Sequence, residues 1–170
     1  TYQTILKILS FGFILNLLII PNISAQTGPI LNLEFYSDKN SVQPGETFTY
    51  TLHCWNPSHR IAYHLRLEHY LPENISIEDV SYPMIHFSER KIVFDLQEML
   101  PNEGQTIFVK VKAKENTRIG TILESKAFLY YSNTFEENSY DPIIYKKTEV
   151  LVKRSPYPEK PLSQKPTLDK

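Results

Sequence analysis

Five histidines and one cysteine are the soft metal ligands of this 170-residue chain, and three of the histidines, His59, His64 and His69, recur at every fifth position. In an extended strand, positions five apart lie ~16 Å from one another and point to opposite faces, at ~3.3 Å per residue. Zinc ligands must converge to ~2.0–2.3 Å from the ion. The spacing therefore builds no local metal site, and only ligands drawn from separate strands could do so. Hydrolysis would need a nucleophile beside a base, or two carboxylates facing one cleft. The sequence carries neither a G-x-S-x-G elbow nor an H-E-x-x-H pair. Glu136 and Glu137 are adjacent but fall in a polar connection, where acids are solvated and nothing pushes one pKa away from the other. Gly28, Gly45, Gly104 and Gly120 are isolated, so no glycine-rich loop cradles a phosphate. No catalytic residue, cofactor or metal is expected.

Binding chemistry is better represented. Trp55 is the only tryptophan, and the alternation of the preceding residues turns it outward at the end of a strand. An exposed ring can stack on a sugar or anchor a protein partner. Packing under the loop from His59 to Tyr63 would bury it instead. Tyr63 and Tyr70 are the nearby aromatics that could extend such a surface. Lys110, Lys112 and Lys114 make a positive row at ~7 Å spacing. That row could meet an anionic wall polymer, or it could simply keep an outward strand face soluble. Cys54 shares the phase of Phe48, Tyr50 and Leu52, opposite Thr47, Thr49, Thr51 and His53, and so reads as a small buried apolar side chain. Being alone, it leaves the fold without an internal disulfide.

These residues sit in a chain whose pattern has period two. Alternation recurs in Leu31/Leu33/Phe35, in Thr47 to Trp55, in Tyr63/Leu65/Leu67 with His64, Arg66 and Glu68 opposite, and in Ile75/Ile77. It continues in Ile92/Phe94/Leu96, in Ile107/Val109/Val111/Ala113, in Ser125/Ala127/Leu129/Tyr131 and in Ile144 to Lys153. Turn signals separate the runs: Pro44-Gly45, Asn56-Pro57-Ser58, Leu71-Pro72 and a hairpin-like corner from Leu100 to Gly104. Plentiful aromatics (11 Tyr, 9 Phe) and few glycines favour pleated structure. The spacing predicts an all-β, immunoglobulin-like antiparallel sandwich of about seven or eight strands over residues 26–153. Lys and Arg total 18 against 19 Asp and Glu, so no long-range field gathers nucleic acid or an anionic membrane. Residues 1–25 read as a signal peptide: Lys7, then a thirteen-residue apolar run from Ile8 to Ile20, then Pro21 and the small residues before Gln26. That run is too short to span a bilayer, so the mature chain is expected to have no transmembrane span. Residues 154–170 form a Pro-rich linker or tail in which Pro158 and Pro161 make a P-x-x-P. The chain starts at Thr1, not Met, and both ends read as open.

Four stretches in order carry a resemblance: SVQPGETFTYTLHCWNPS, HYLPENISI, IVFDLQEMLPNEGQTIFVKVKA, and SKAFLYYSN followed after a loop by TEVLVK. From Ser41 to about Lys153 the chain resembles the conserved repeat domain of bacterial cell-surface proteins, the group known as domain of unknown function eleven. The resemblance implies an immunoglobulin-like unit of stalks or surface arrays, with no catalytic residues to carry over. The chain departs from the pattern at His53, Trp55 and His69, at Ser125, which stands where Asn is more typical, and at Asn74, where Asn would replace Gly in a left-handed turn. The expected role is a secreted or cell-surface module of the cell envelope, structural or adhesive and non-catalytic, whose partner is a protein or envelope component. Two alternatives stand beside it: a carbohydrate-binding module using Trp55, Tyr63 and Tyr70, and an accessory domain of a larger secreted enzyme.

Overall fold

The computed structural model describes residues 28–88, 90–136 and 143–154. The expected signal segment, the tail beyond Arg154 and Glu137 lie outside them. The described residues form ten strands and no helix: β1 (Asn32–Ser37), β2 (Ser41–Val42), β3 (Thr47–Trp55), β4 (Ala62–Tyr70), β5 (Ile75–Val80), β6 (His86–Ser88), β7 (Lys91–Met99), β8 (Gly104–Ala113), β9 (Ile122–Ser132) and β10 (Ile143–Val152). The two beyond the eight of the sequence reading are β2 and β6, of two and three residues. Runs that short hold no alternation to read.

The strands pair into two sheets, β1-β3-β8-β5 and β2-β10-β9-β4-β7-β6. Their inner faces make one core. From the four-stranded sheet come Leu33, Phe35, Phe48, Tyr50, Leu52, Cys54 and the Ile107 to Ala113 alternation. Against them pack Leu65, Leu67, Ile92, Phe94, Leu123, Leu129 and Val150. Pro44-Gly45 makes the turn into β3: Gly45 has φ +78, and a Cβ there would meet the Glu115 carboxylate. Glu46 ties the same turn, accepting from the Gln43 N–H at 2.8 Å and pairing with Lys39 at 2.8 Å. Those bonds hold its carboxyl below the usual range.

Three local expectations are corrected. Tyr63 is half-buried, and Ala62 takes the inward position. The cause is a bulge: His64 sits at φ 53 and the pairing of β4 with both neighbours slips between Ala62 and Arg66, so the phase changes there. Leu100 to Gly104 is not a hairpin corner, because β7 and β8 belong to different sheets. It carries the chain across the sandwich and is pinned by hydrogen bonds to Asn56 (Asn102 N–H to Asn56 O, 2.7 Å; Asn56 N–H to Glu103 O, 2.9 Å). The left-handed residue of that turn is Asn102, whereas Asn74 is not left-handed. Asn74 instead accepts the Lys114 N–H at 2.9 Å through its carbonyl.

Candidate functional site

Strand β9 is apolar in both phases. Ala127, Leu129 and Tyr131 face the core, while Phe128 and Tyr130 face out, an arrangement that leaves one face of the six-stranded sheet rich in rings. Pairing brings Tyr145 beside Phe128 and Phe128 beside Glu68. It sets Ile143, Tyr130, Arg66 and Asp95 in the next row, and Lys147, Lys126, Tyr70 and Lys91 in the row on the other side. The Phe128 ring lies 5.6 Å from Tyr70, edge to face, 5.0 Å from Tyr145 and 6.3 Å from Tyr130. Arg66 covers Tyr130 at 4.9 Å and Lys91 covers Tyr70 at 5.1 Å.

One buried carboxylate organises the cluster. Glu68 is 5% exposed although it points outward. Lys91 Nζ reaches it at 2.9 Å, Arg66 Nε at 3.4 Å, and the Tyr70 hydroxyl donates to it at 2.9 Å. Burial opposes its ionisation, but the bonds from Lys91 and Tyr70 outweigh that and leave its pKa lowered. The Lys91 pKa is raised through its bond to Glu68, against a smaller desolvation cost. Both directions say that the pair stays charged, and its geometry fixes Tyr70 and Arg66 before any partner arrives. Exposed Tyr145 and Ile143 adjoin the fixed rings, while exposed Ile122 and Leu151 pair with each other farther along β9 and β10, beyond the rows of Lys126 with Lys147 and Glu124 with Glu149. A groove of about 590 Å³ follows Tyr70, Pro72, Arg90, Ile122, Lys126 and Phe128. The further quartet Glu124, Lys126, Lys147 and Glu149 is solvent-exposed and contributes little to stability.

The three aromatics singled out in the sequence do not meet. Tyr70 belongs to the cluster just described. Tyr63 lies at the other end of β4, about 20 Å away at strand rise, edge to face with Phe135 at 5.8 Å. Trp55 is on the other sheet, half-buried and stacked on His53 at 5.1 Å. Lys110 and Lys112 of the positive row are tied to Glu78 (3.4 Å) and Glu115 (3.0 Å). The evenly spaced histidines occupy three environments: His59 is exposed, His64 bonds the Phe135 carbonyl at 2.7 Å, and His69 is fully buried.

His69 also makes a serine–histidine pair that no motif announced. Its Nε2 lies 2.8 Å from Ser125 Oγ, and Ser125 donates to the Tyr70 carbonyl at 2.7 Å. The hydroxyl proton is thus committed, so Nε2–H donates to Oγ and Nδ1 turns into the core, where it has no partner among the described residues. Both residues are inaccessible. The pair is a polar strut between β4 and β9 and cannot reach a substrate. Burial lowers the His69 pKa to about 3. Cys54 is likewise buried, and burial pushes its thiol up to about 11. Native protein should therefore leave the thiol unreacted toward a disulfide reagent, with one thiol released on denaturation; prompt native labelling would contradict the packing.

β1 pairs with β3 in one sheet, and the chain then crosses so that β2 runs parallel to β10 in the other. No protein-family model and no curated protein matches the sequence, but solved structures match the fold. The major pilin subunit of Bacillus cereus superposes with a TM-score of 0.57 at 12% identity, over 72% of this chain and 40% of that one. The third cohesin ScaC of Acetivibrio cellulolyticus, solved with the ScaB dockerin, gives 0.56 at 9% identity, over 74% and 100%. A 35 kDa C-terminal fragment of the major pilin of Streptococcus agalactiae gives 0.52 at 11%, over 73% of this chain and 56% of the fragment. The chain is an immunoglobulin-like sandwich. Its match spans less than half of the Bacillus cereus pilin, so that protein's assembly is not carried over with the fold. In this immunoglobulin-like frame the outward rings of β9 and β10 are the feature that the core does not explain.

Proposed function

We propose that this chain is a non-catalytic module of a secreted or cell-surface protein, and that it binds a protein partner through the outer face of its six-stranded sheet. The observation that carries the reading is the aromatic cluster of Tyr70, Phe128, Tyr130 and Tyr145, held by the ion pair of Lys91 with buried Glu68 and bordered by exposed Ile143. Rigid rings flanked by a polar rim are what a protein hot spot uses. Exposed apolar rings clustered in this way mark an interaction surface. Three further points support the reading: the apolar segment from Ile8 to Ile20 suits export, the repeat-domain resemblance points to bacterial surfaces, and the matching folds include pilin subunits and a cohesin solved with its dockerin.

The test is binding of the purified module to envelope preparations of the producing cells. Phe128→Ser and Tyr145→Ser should each weaken saturable binding by about thirtyfold, the size of a ~2 kcal/mol hot spot. Protease treatment of the envelopes should abolish the fraction of binding that these variants weaken, and glycosidases should leave that fraction intact. Unchanged binding by both variants, or variant-sensitive binding that survives protease, would overturn the proposal.

A further inference from the structure

The opposite face of the sandwich carries a second set of rings with different neighbours. Pairing across β1, β3 and β8 gives three rows: Tyr36, Thr51 and Phe108; Glu34, His53 and Thr106; and Asn32, Trp55 and Gly104. Tyr36 and Phe108 are 50% and 49% exposed, and Thr51 between them is only 6% exposed. Two strand spacings separate the flanking rings, about 10 Å. Along β3, Trp55 stacks on His53 with 20° between the planes. His53 is fixed in turn by Thr106, whose Oγ1 lies 2.8 Å from Nδ1. Gly104 is what leaves room: a Cβ there would come within 3.1 Å of Trp55 Cβ and 3.2 Å of the Cys54 carbonyl. The His53 and Trp55 rings are thus held in place by each other, by Thr106 and by the space at Gly104.

We infer that this ring-bearing half of the four-stranded sheet is a binding platform for a neutral polysaccharide. Pyranose units are flat, with apolar C–H faces and a rim of hydroxyls, so an extended chain of them can lie across rings while its hydroxyls bond the side chains between. Here those side chains are Thr106, His53 and Glu34. Charge decides against an anionic polymer. Lys110, the next outward residue of β8 after Phe108, is paired to Glu78, and Lys112 beyond it is paired to Glu115, so neither offers a free positive charge. Beside the rings the ionisable groups are Glu34, His53 and the Glu78-paired Lys110, and past Gly104 come the carboxylates of Glu98 and Glu103. Those two line a cleft of about 300 Å³ together with Tyr82, Gly104 and Gln105. Carboxylates and an amide accept and donate to sugar hydroxyls and repel uronate or phosphate chains. The platform is separate from the proposed protein-binding face, and either could fail without the other.

Trp55, as the only tryptophan, reports on this site alone. The experiment is a fluorescence and calorimetric titration of the intact module with cellohexaose, xylohexaose, mannohexaose and chitohexaose to millimolar concentration, with polygalacturonate as the anionic control. At least one neutral oligosaccharide should shift Trp55 emission saturably, and polygalacturonate should not. Tyr36→Ala and Phe108→Ala, at half-exposed positions where folding is not at stake, should each weaken that binding about tenfold. Phe128→Ser on the other face should leave it unchanged. The inference is overturned if none of the four sugars binds, if polygalacturonate binds as well as they do, or if both ring variants stay within twofold of the parent.

Discussion

Between pH 6.5 and pH 4.5 the folded state is expected to lose roughly 2 kcal/mol of stability through one buried imidazole. His69 lies between the sheets, edge-on to Phe35 at 5.1 Å and Tyr50 at 5.2 Å, with Ser125 as its hydrogen-bond partner. Burial lowers its folded pKa from 6.5 to about 3. Above pH 6.5 the imidazole is neutral in both states and costs nothing. As the pH falls below 6.5 the unfolded chain takes up a proton that the folded core refuses, and stability drops until the folded pKa is reached near pH 3. Carboxylates with lowered pKa values, Glu46 and Glu68, add their own loss at more acid pH. The interval above pH 4.5 therefore isolates the histidine. Urea unfolding across that interval should show a steep slope in the parent and a nearly flat one in His69→Gln, whose amide can still bond Ser125 without titrating. Parallel slopes would mean that His69 is not buried neutral.

Asn56→Ala should cost about 3 kcal/mol, a large effect for deleting one polar side chain. Asn56 is fully buried where the strand β3 ends. Its Nδ2 donates to the Arg60 carbonyl at 2.7 Å and to the Met99 carbonyl at 3.0 Å, while Oδ1 accepts from Ser58 N–H at 3.1 Å and Ser58 Oγ at 2.6 Å. Alanine would strand two carbonyls, one of them on a different sheet, and loosen the crossing from β7 to β8. Asn56→Asp should be at least as damaging, because it removes both donors and aims a charge at two carbonyl oxygens. Ser58→Ala, which removes a more exposed hydroxyl, should cost about 1 kcal/mol. Denaturation midpoints rank the three directly, and a loss below ~1 kcal/mol for Asn56→Ala would show that the turn is not held by this side chain.

The contrast between these residues shows what the sequence could reveal. Alternation identified the sandwich and the buried side of β3 and β8, including Cys54, because a strand buried on one face writes its orientation into every second residue. It failed at Tyr63, where a bulge at His64 inserts a residue and reverses the phase, and no turn residue marks the place. The Asn56-Pro57-Ser58 stretch was readable as a strand end. Its bond to Met99, 43 positions on, was not, since that contact exists only after the sheets assemble. The outward rings had a signal that went unused. In SKAFLYYSN both phases are apolar, so one of them had to lie on the outside. Tyr70 reads from the sequence as a companion of Trp55, yet its actual companions Phe128 and Tyr145 come from strands far along the chain, joined to it by register.

The proposal that the six-stranded face meets a protein can be tested by photo-cross-linking. A benzophenone amino acid would replace Tyr145 on that face or, as a control, Lys114 beyond the other sheet, and each module would be irradiated on envelopes of the producing cells. A discrete, protease-sensitive adduct from position 145 and none from position 114 is the predicted result; equal adducts from both positions, or none from 145, would contradict a protein partner on this face.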